Sequence, residues 1–309
     1  MELAKNRVTI TGILVFATLT AGIFTLIEQA AATHGPTLLV VDVDGMVAIV
    51  SSQPDCGATT SVDNITTFSS IQAAIDVAGG HTIIVCPGTY SAITVDSTDG
   101  IEKIYGLSGA IIDGGGAETV FIDGVNTGCV SPDRTVIHGF TIRGAITNNG
   151  VRVEDSCRIF VQFNTIGDIA DPNARGILFQ NTDHSWIEKN TVRNSTLEEG
   201  IKLELGSSNN AILGNTVFNN EGQGIEITSS SSDNLLTQNV VRDNGAGSGE
   251  PGFAGILVNS GTGNMLKRNN SRDNLGCEYE LVAGTFVDRG RNKANGAVIP
   301  LVAGCNGTA

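Results

Sequence analysis

Gly200-Ile201-Lys202-Leu203-Glu204-Leu205, with Asn215 following it, is one copy of a phrase that runs through the middle of this 309-residue chain. Other copies open Gly150-Val151-Arg152-Val153, Gly176-Ile177-Leu178-Phe179, Gly224-Ile225-Glu226-Ile227 and Gly255-Ile256-Leu257-Val258. An asparagine follows each by 14 or 15 residues, at Asn164, Asn190, Asn215, Asn239 and Asn269, so the intervals are 26, 25, 24 and 30. A period of that length marks stacked supersecondary units, none of which buries its apolar face alone. Within a unit the apolar residues alternate, which is strand periodicity with no sustained 3.6-residue pattern behind it. Short strands coiling at about 24 residues per turn predict an all-β parallel β-helix, a solenoid.

Stacking the copies predicts what lies inside. Val151, Ile177, Ile201, Ile225 and Ile256 form one column, and Val153, Phe179, Leu203, Ile227 and Val258 a second. Ile137, Val161, Ile187, Ile212, Leu236 and Leu266 form a third; Ile142, Ile166, Val192, Val217 and Val241 form a fourth. Each is a ladder of like side chains about 4.8 Å apart. The asparagines are read as structural. A turn inside a coil leaves backbone groups that no sheet pairs, and a stacked amide can bond both its own turn and its neighbours.

The first residues are not expected to belong to the fold. Lys5 and Arg7 precede an uncharged stretch from Val8 to Ile27, then Glu28-Gln29-Ala30-Ala31-Ala32. That is a basic region, an apolar region and an Ala-x-Ala-like cleavage site, the pattern of a secretory signal over residues 1–32. The apolar stretch also suffices to span a bilayer, so an uncleaved anchor fits the same residues. Either way the body is expected to be secreted, periplasmic or on the cell surface. Six cysteines in such a chain suggest disulfides. Pairing by nearest region gives Cys56–Cys86, Cys129–Cys157 and Cys277–Cys305, two of them stapling the ends, where a solenoid frays. Zinc is the rival use, but no Cys-x-x-Cys or histidine-rich spacing supports a metal site. A net charge of −14, from 32 acidic and 18 basic residues, argues against a nucleic-acid partner. Acidic surfaces also bind Ca²⁺, yet no dense aspartate loop is present and no cofactor is expected.

Residues 33–81 read as short strands, Thr37–Val41 and Met46–Val50, and a helix beginning at Ser69-Ser70-Ile71-Gln72. Ser69 and Gln72 form a candidate capping box, and Gly79 a C-terminal stop. Ile71, Ala74, Ile75 and Ala78 make an apolar stripe, so the helix is expected to cover the open first rung. Residues 82–275 are assigned to the coil and 276–309 to a cap. Gly245 to Gly252 is a Gly/Pro-rich insertion before Gly255, a surface loop.

Ser70-Ile71-Gln72-Ala73-Ala74-Ile75-Asp76-Val77-Ala78, followed by Ile83-Ile84-Val85-Cys86-Pro87-Gly88-Thr89-Tyr90, is similar to the opening of pectin-lyase-like right-handed β-helix proteins. Gly139-Phe140-Thr141-Ile142-Arg143-Gly144 and the Gly-Ile…Asn repeats resemble the same superfamily, and most closely its carbohydrate-binding and sugar-hydrolase repeat group. The resemblance covers about residues 65–275. It implies a right-handed coil but no particular reaction, because the superfamily holds lyases, hydrolases, esterases, epimerases and non-enzymes. Asn181-Thr182-Asp183 is similar to one short polygalacturonase motif, but the companion motifs are missing. Asp171-Pro172-Asn173 resembles an epimerase Asp-Pro-His with asparagine for histidine. Some relatives mature copper sites; here four histidines and three methionines are present, and His138 and His184 do not share a column, whereas copper wants clustered imidazole or thioether ligands.

The resemblance implies a substrate groove on the outward positions between the first two core columns. These read Arg152 and Glu154, Leu178 and Gln180, Lys202 and Glu204, Glu226 and Thr228, Leu257 and Asn259. Lys202, Glu204 and Glu226 are the candidate catalytic residues. Carboxylates on adjacent rungs can split their pKa values into an acid and a base, and a cation between them can neutralise a sugar carboxylate. Arg152, Glu154 and Gln180, with Arg193 and Arg242 from an exposed arginine column, are candidate substrate contacts. Exposed cross-strand ion pairs of small worth are the plainer reading of all of these. Two functions stay open: an exported β-helix that binds a uronate-type polysaccharide, with its cleavage or epimerisation left undecided, or a non-enzymatic surface adhesion or scaffold protein.

Overall fold

The computed structural model describes residues 47–50, 65–78, 82–99, 103–115, 118–145, 149–170, 172–246 and 253–308. Among them the chain is a parallel β-helix of about eight turns with one short helix before the coil. Three strands per rung stack into three sheets. The first sheet contains Thr135–His138, Ile159–Gln162, Trp186–Glu188, Ala211–Leu213 and Leu235–Thr237. The second contains Thr141–Arg143, Thr165–Ile169, Thr191–Ser195, Thr216–Phe218 and Val240–Arg242. The third contains Val151–Glu154, Ile177–Gln180, Ile201–Glu204, Ile225–Ile227 and Ile256–Val258. The third sheet carries the Gly-Ile phrases, and its register pairs Ile177 with Ile201 and Ile201 with Ile225.

All four expected core columns point inward and are buried, in one continuous apolar cluster along the axis. Alternation drives this: β-branched residues at every second position fill the interior, and their neighbours face out. The glycine that opens each phrase has a steric origin. A β-carbon on Gly200 would stand 2.5 Å from Val217 Cγ1 and 2.6 Å from the Asn220 amide, so the corner closes only around glycine.

The corners are held by asparagines, and there are three ladders rather than one. Asn164, Asn190, Asn215, Asn239 and Asn269 behave as expected. Each backbone N–H donates to the next side-chain oxygen at 2.9–3.1 Å, and the series extends to Asn292. A second ladder runs through Ser185, Asn210, Asn234 and Asn264, and a third through Ser195, Asn220, Asn244 and Asn274. The residue before each first-ladder asparagine is left-handed, as at Phe163, Lys189 and Gln238. The amide satisfies carbonyls that such a turn withdraws from the sheets.

The helix spans Ile71–Ala78, and Ile71, Ala74 and Ile75 are part of the coil's core, so it covers the first rungs. Its cap differs from expectation. Ser70, not Ser69, accepts the Ala73 N–H at 3.1 Å. Gln72 does not reach back to the cap but pairs both its amide atoms with the Thr94 backbone. The capping box fails because tertiary partners one strand away outcompete a local bond. Val47–Val50 is a strand, and Ile65–Phe68, unanticipated, pairs outside it in the first sheet. Thr37–Val41, Gly79 and most of the Gly245–Gly252 insertion lie outside the described residues. Parallel pairing continues past residue 275, through Phe286–Asp288 and Lys293–Ala294. Beyond that, Gly304–Thr308 closes the third sheet antiparallel to Cys277–Leu281. Cys129–Cys157 and Cys277–Cys305 are disulfides with Cα separations of 5.3 and 5.4 Å, as the regional pairing predicts. Cys56 lies outside the described residues.

Candidate functional site

The outward column of the third sheet reads Arg152, Leu178, Lys202, Glu226 and Leu257 in register. It is not a solvated face. Leu178, Glu226 and Leu257 are buried, Glu226 at 6 % exposure. Lys202 Nζ lies 2.9 Å from Glu226 and 3.7 Å from Glu204, so the three candidate catalytic residues converge. The plainer expectation of exposed pairs therefore does not describe Lys202 and Glu226.

Two carboxylates that the strand pattern did not single out complete the cluster. Glu199 is 5 % exposed and lies 3.0 Å from Lys202 Nζ. Glu198 and Glu199 each pair with Arg175, at 2.8 and 3.0 Å. Rung geometry explains the meeting. Arg175 immediately precedes Gly176 and Glu199 immediately precedes Gly200, and the Gly176 N–H donates to the Glu199 carbonyl. They occupy one register at the entry to the third sheet. The signal was present in the sequence as charge placed directly before the glycine of a repeat.

Burial splits the titrations. Glu226 is pushed up to about 7 by desolvation, by its hydrogen bond to Glu199 and by that residue's charge; Lys202 only partly offsets this. Glu198 is likewise raised to about 7 by desolvation and by Glu199. Glu199 is held well below the usual carboxylate range. Its burial is outweighed by the Glu226 hydrogen bond, the Lys202 charge, the Glu198 hydrogen bond and Arg175. Glu199 is thus a carboxylate receiving hydrogen bonds from two glutamates that keep their protons to near neutrality. Lys202 is raised because Glu199 and Glu226 overcome its desolvation.

The expected contacts divide between two faces. Arg152 binds Glu154 at 2.6 Å, Gln180 at 2.9 Å and Glu118 at 3.3 Å. Gln180 donates to Glu204 at 2.7 Å, so this group runs into the Lys202 cluster. Arg193 and Arg242 lie on the second sheet, away from that face, and are paired with Asp168 and Asp243. Among the described residues, one group with metal-ligating atoms converges: Cys129, Cys157 and His184. Its two sulfurs are joined to each other.

The model of the right handed beta helix region family matches residues 118–292, more than half of the chain. No curated protein matches it. Among solved structures, an alginate lyase from Paenibacillus sp. str. FPU-7 is similar at 14 % identity and TM-score 0.55, over 85 % of this chain and 98 % of that one. The pectate lyase Pel9A is similar at 12 % identity and TM-score 0.54, over 77 % and 68 %. At such identities the likeness speaks for the fold alone. The repeat, the three parallel sheets and the family match agree: this chain belongs to the right-handed β-helix family, with the fold of the pectin-lyase-like superfamily.

Proposed function

We propose that the chain binds a polysaccharide along the outward face of the third sheet and cleaves it by proton transfer through Glu226. One observation carries the reading: a buried Glu199–Lys202–Glu226 cluster with a carboxyl at about 7. A carboxylic acid that keeps its proton to neutrality can donate it to a glycosidic oxygen as that C–O bond breaks, while water adds to the freed anomeric carbon and its surplus proton restores the acid; the adjacent carboxylate and ammonium can stabilise developing charge. The solved relatives of like fold include an alginate lyase and a pectate lyase, which supports a glycan as ligand. The face itself favours a neutral glycan over a uronate polymer. Lys202 already faces three carboxylates, Arg175 two and Arg152 two, so a sugar carboxylate must displace a glutamate to be bound.

The same saturation favours a second reading, a binding or scaffold protein in which the cluster only ties rungs together. The two separate in one experiment. The protein is incubated with neutral polysaccharides and with polyuronates, and new reducing ends and unsaturated products are measured across pH. Cleavage with a limb near pH 7, and a roughly 10²–10⁴-fold loss in Glu226→Gln and Lys202→Ala, is the expected result. Glycan binding without turnover on every polymer establishes the scaffold reading instead.

A further inference from the structure

On the opposite corner of the coil, where the first sheet turns into the second, the asparagine ladder stops. Its register is taken over by Phe140, which is buried and whose N–H donates to Asn164 Oδ1 at 2.9 Å. The connection stacked on Phe140 is longer than the one that follows it: five residues separate Tyr105 from Ile111, where two, Gly139 and Phe140, separate their in-register partners His138 and Thr141. Gly106 is forced by this packing, since a β-carbon there would stand 2.7 Å from the Phe140 ring. Beside this mismatch in connection length lies a cleft of about 340 Å³.

Besides the buried Phe140, the rings of Tyr105, His138 and Phe163 line the cleft. Tyr105 and His138 are paired in register with ring centres 5.5 Å apart, and His138 and Phe163 are 5.0 Å apart. Phe163 is 48 % exposed. Ser108, Thr141 and Thr165 add hydroxyls to the wall. Among the described residues, no carboxylate lines the cleft. The nearby Lys189, 4.8 Å from the Phe163 ring centre, is neutralised by Glu188 at 3.4 Å. Burial also keeps the His138 imidazole below its ordinary pKa and hence uncharged at neutral pH. A ligand for this cleft needs an apolar face for the rings, a rim of donors and acceptors for the hydroxyls, and no charge.

We propose that this corner is a binding site for a neutral pyranose ring, separate from the carboxylate cluster on the third sheet. Its size is at the lower end of ligand sites, which suits one or two sugar units, such as a chain end or branch, rather than a lengthwise polymer. The site serves to anchor the protein on a glycan whether or not the third sheet performs chemistry.

The test is saturation-transfer NMR on the full chain with cellotriose, maltotriose and chitotriose as neutral probes and trigalacturonate as the charged comparator. At least one neutral trisaccharide should receive saturation on its ring C–H protons, with perturbation of Tyr105 and His138 ring signals. Phe163→Asn keeps a residue suited to the left-handed turn and should weaken binding at least tenfold; Tyr105→Ala should do the same. The Tyr105 and His138 ring signals separate this site from the proposed function, because a sugar held on the third sheet does not touch those rings. Unperturbed Tyr105 and His138 rings with every neutral sugar, stronger perturbation by trigalacturonate, or a His138 perturbation that survives both ring variants in a folded protein overturns the proposal.

Discussion

At the scale of single residues, burial decides what a side chain does. Leu203 sits in the second core column with no exposure. Replacing it by alanine leaves a cavity that rigid rungs cannot close, at a cost of about 2–5 kcal/mol, readable as a shift in the urea midpoint. Unchanged denaturation would refute the register. Glu226 gives a prediction in pH. Its folded pKa, about 7, lies above the ordinary 4.5, and Glu198 behaves alike. The folded state then holds more protons than the unfolded one between those values, so their contribution to stability is present below about 4.5 and lost as pH rises towards 7. Glu199 is depressed, and its contribution is lost only on acidification. The urea midpoint should therefore fall from pH 5 to 7.5, and the fall should be smaller in Glu226→Gln. A wild-type midpoint that rises over that range would contradict the proton assignment.

At the scale of the rung, two of the three strands, those of the first and second sheets, are bounded by amides. Asn210, Asn215 and Asn220 flank Ala211–Leu213 and Thr216–Phe218, and Asn234, Asn239 and Asn244 flank the next pair. Asn215 donates to the Ile187 carbonyl at 2.8 Å and accepts from the Asn190 backbone and amide at 2.9 and 3.1 Å. Asn215→Ala strands those partners in a dry corner, each costing roughly 1–3 kcal/mol. A loss of about 3 kcal/mol or more is expected by chemical denaturation. Asn215→Asp keeps the acceptor for Asn190 but sets an oxygen against the Ile187 carbonyl and Asn239 Oδ1, so it should lose as much at neutral pH and less in acid, where the carboxyl is protonated. Small losses in both would show that the corner admits water.

At the scale of the whole molecule, a solenoid has two ends and no closing contact between them, so its stability is local. The far end is covered by Gly304–Thr308 and tied by Cys277–Cys305. Cys305→Ser should speed amide exchange in Cys277–Leu281 and Gly304–Thr308 while leaving Ile201–Glu204 protected. Uniform acceleration along the coil would instead mark a single cooperative unit. The sequence by itself determined the coil, its register, the inward columns, one asparagine ladder and two of the disulfides, because rung stacking maps a fixed sequence period onto a fixed position in space. It also brought out Lys202, Glu204 and Glu226, because a mixture of charges that occurs once breaks the repeat on the outward positions. Only the tertiary structure decided that Leu178, Glu226 and Leu257 on this outward face are buried, that Glu198, Glu199 and Arg175 close around Lys202, that Ser70 rather than Ser69 caps the helix, and that a cleft opens beside Phe140. Those features arise where neighbouring turns differ in length or carry charge into a space that another rung has desolvated. Such meetings depend on packing between non-repeating segments, which no period encodes.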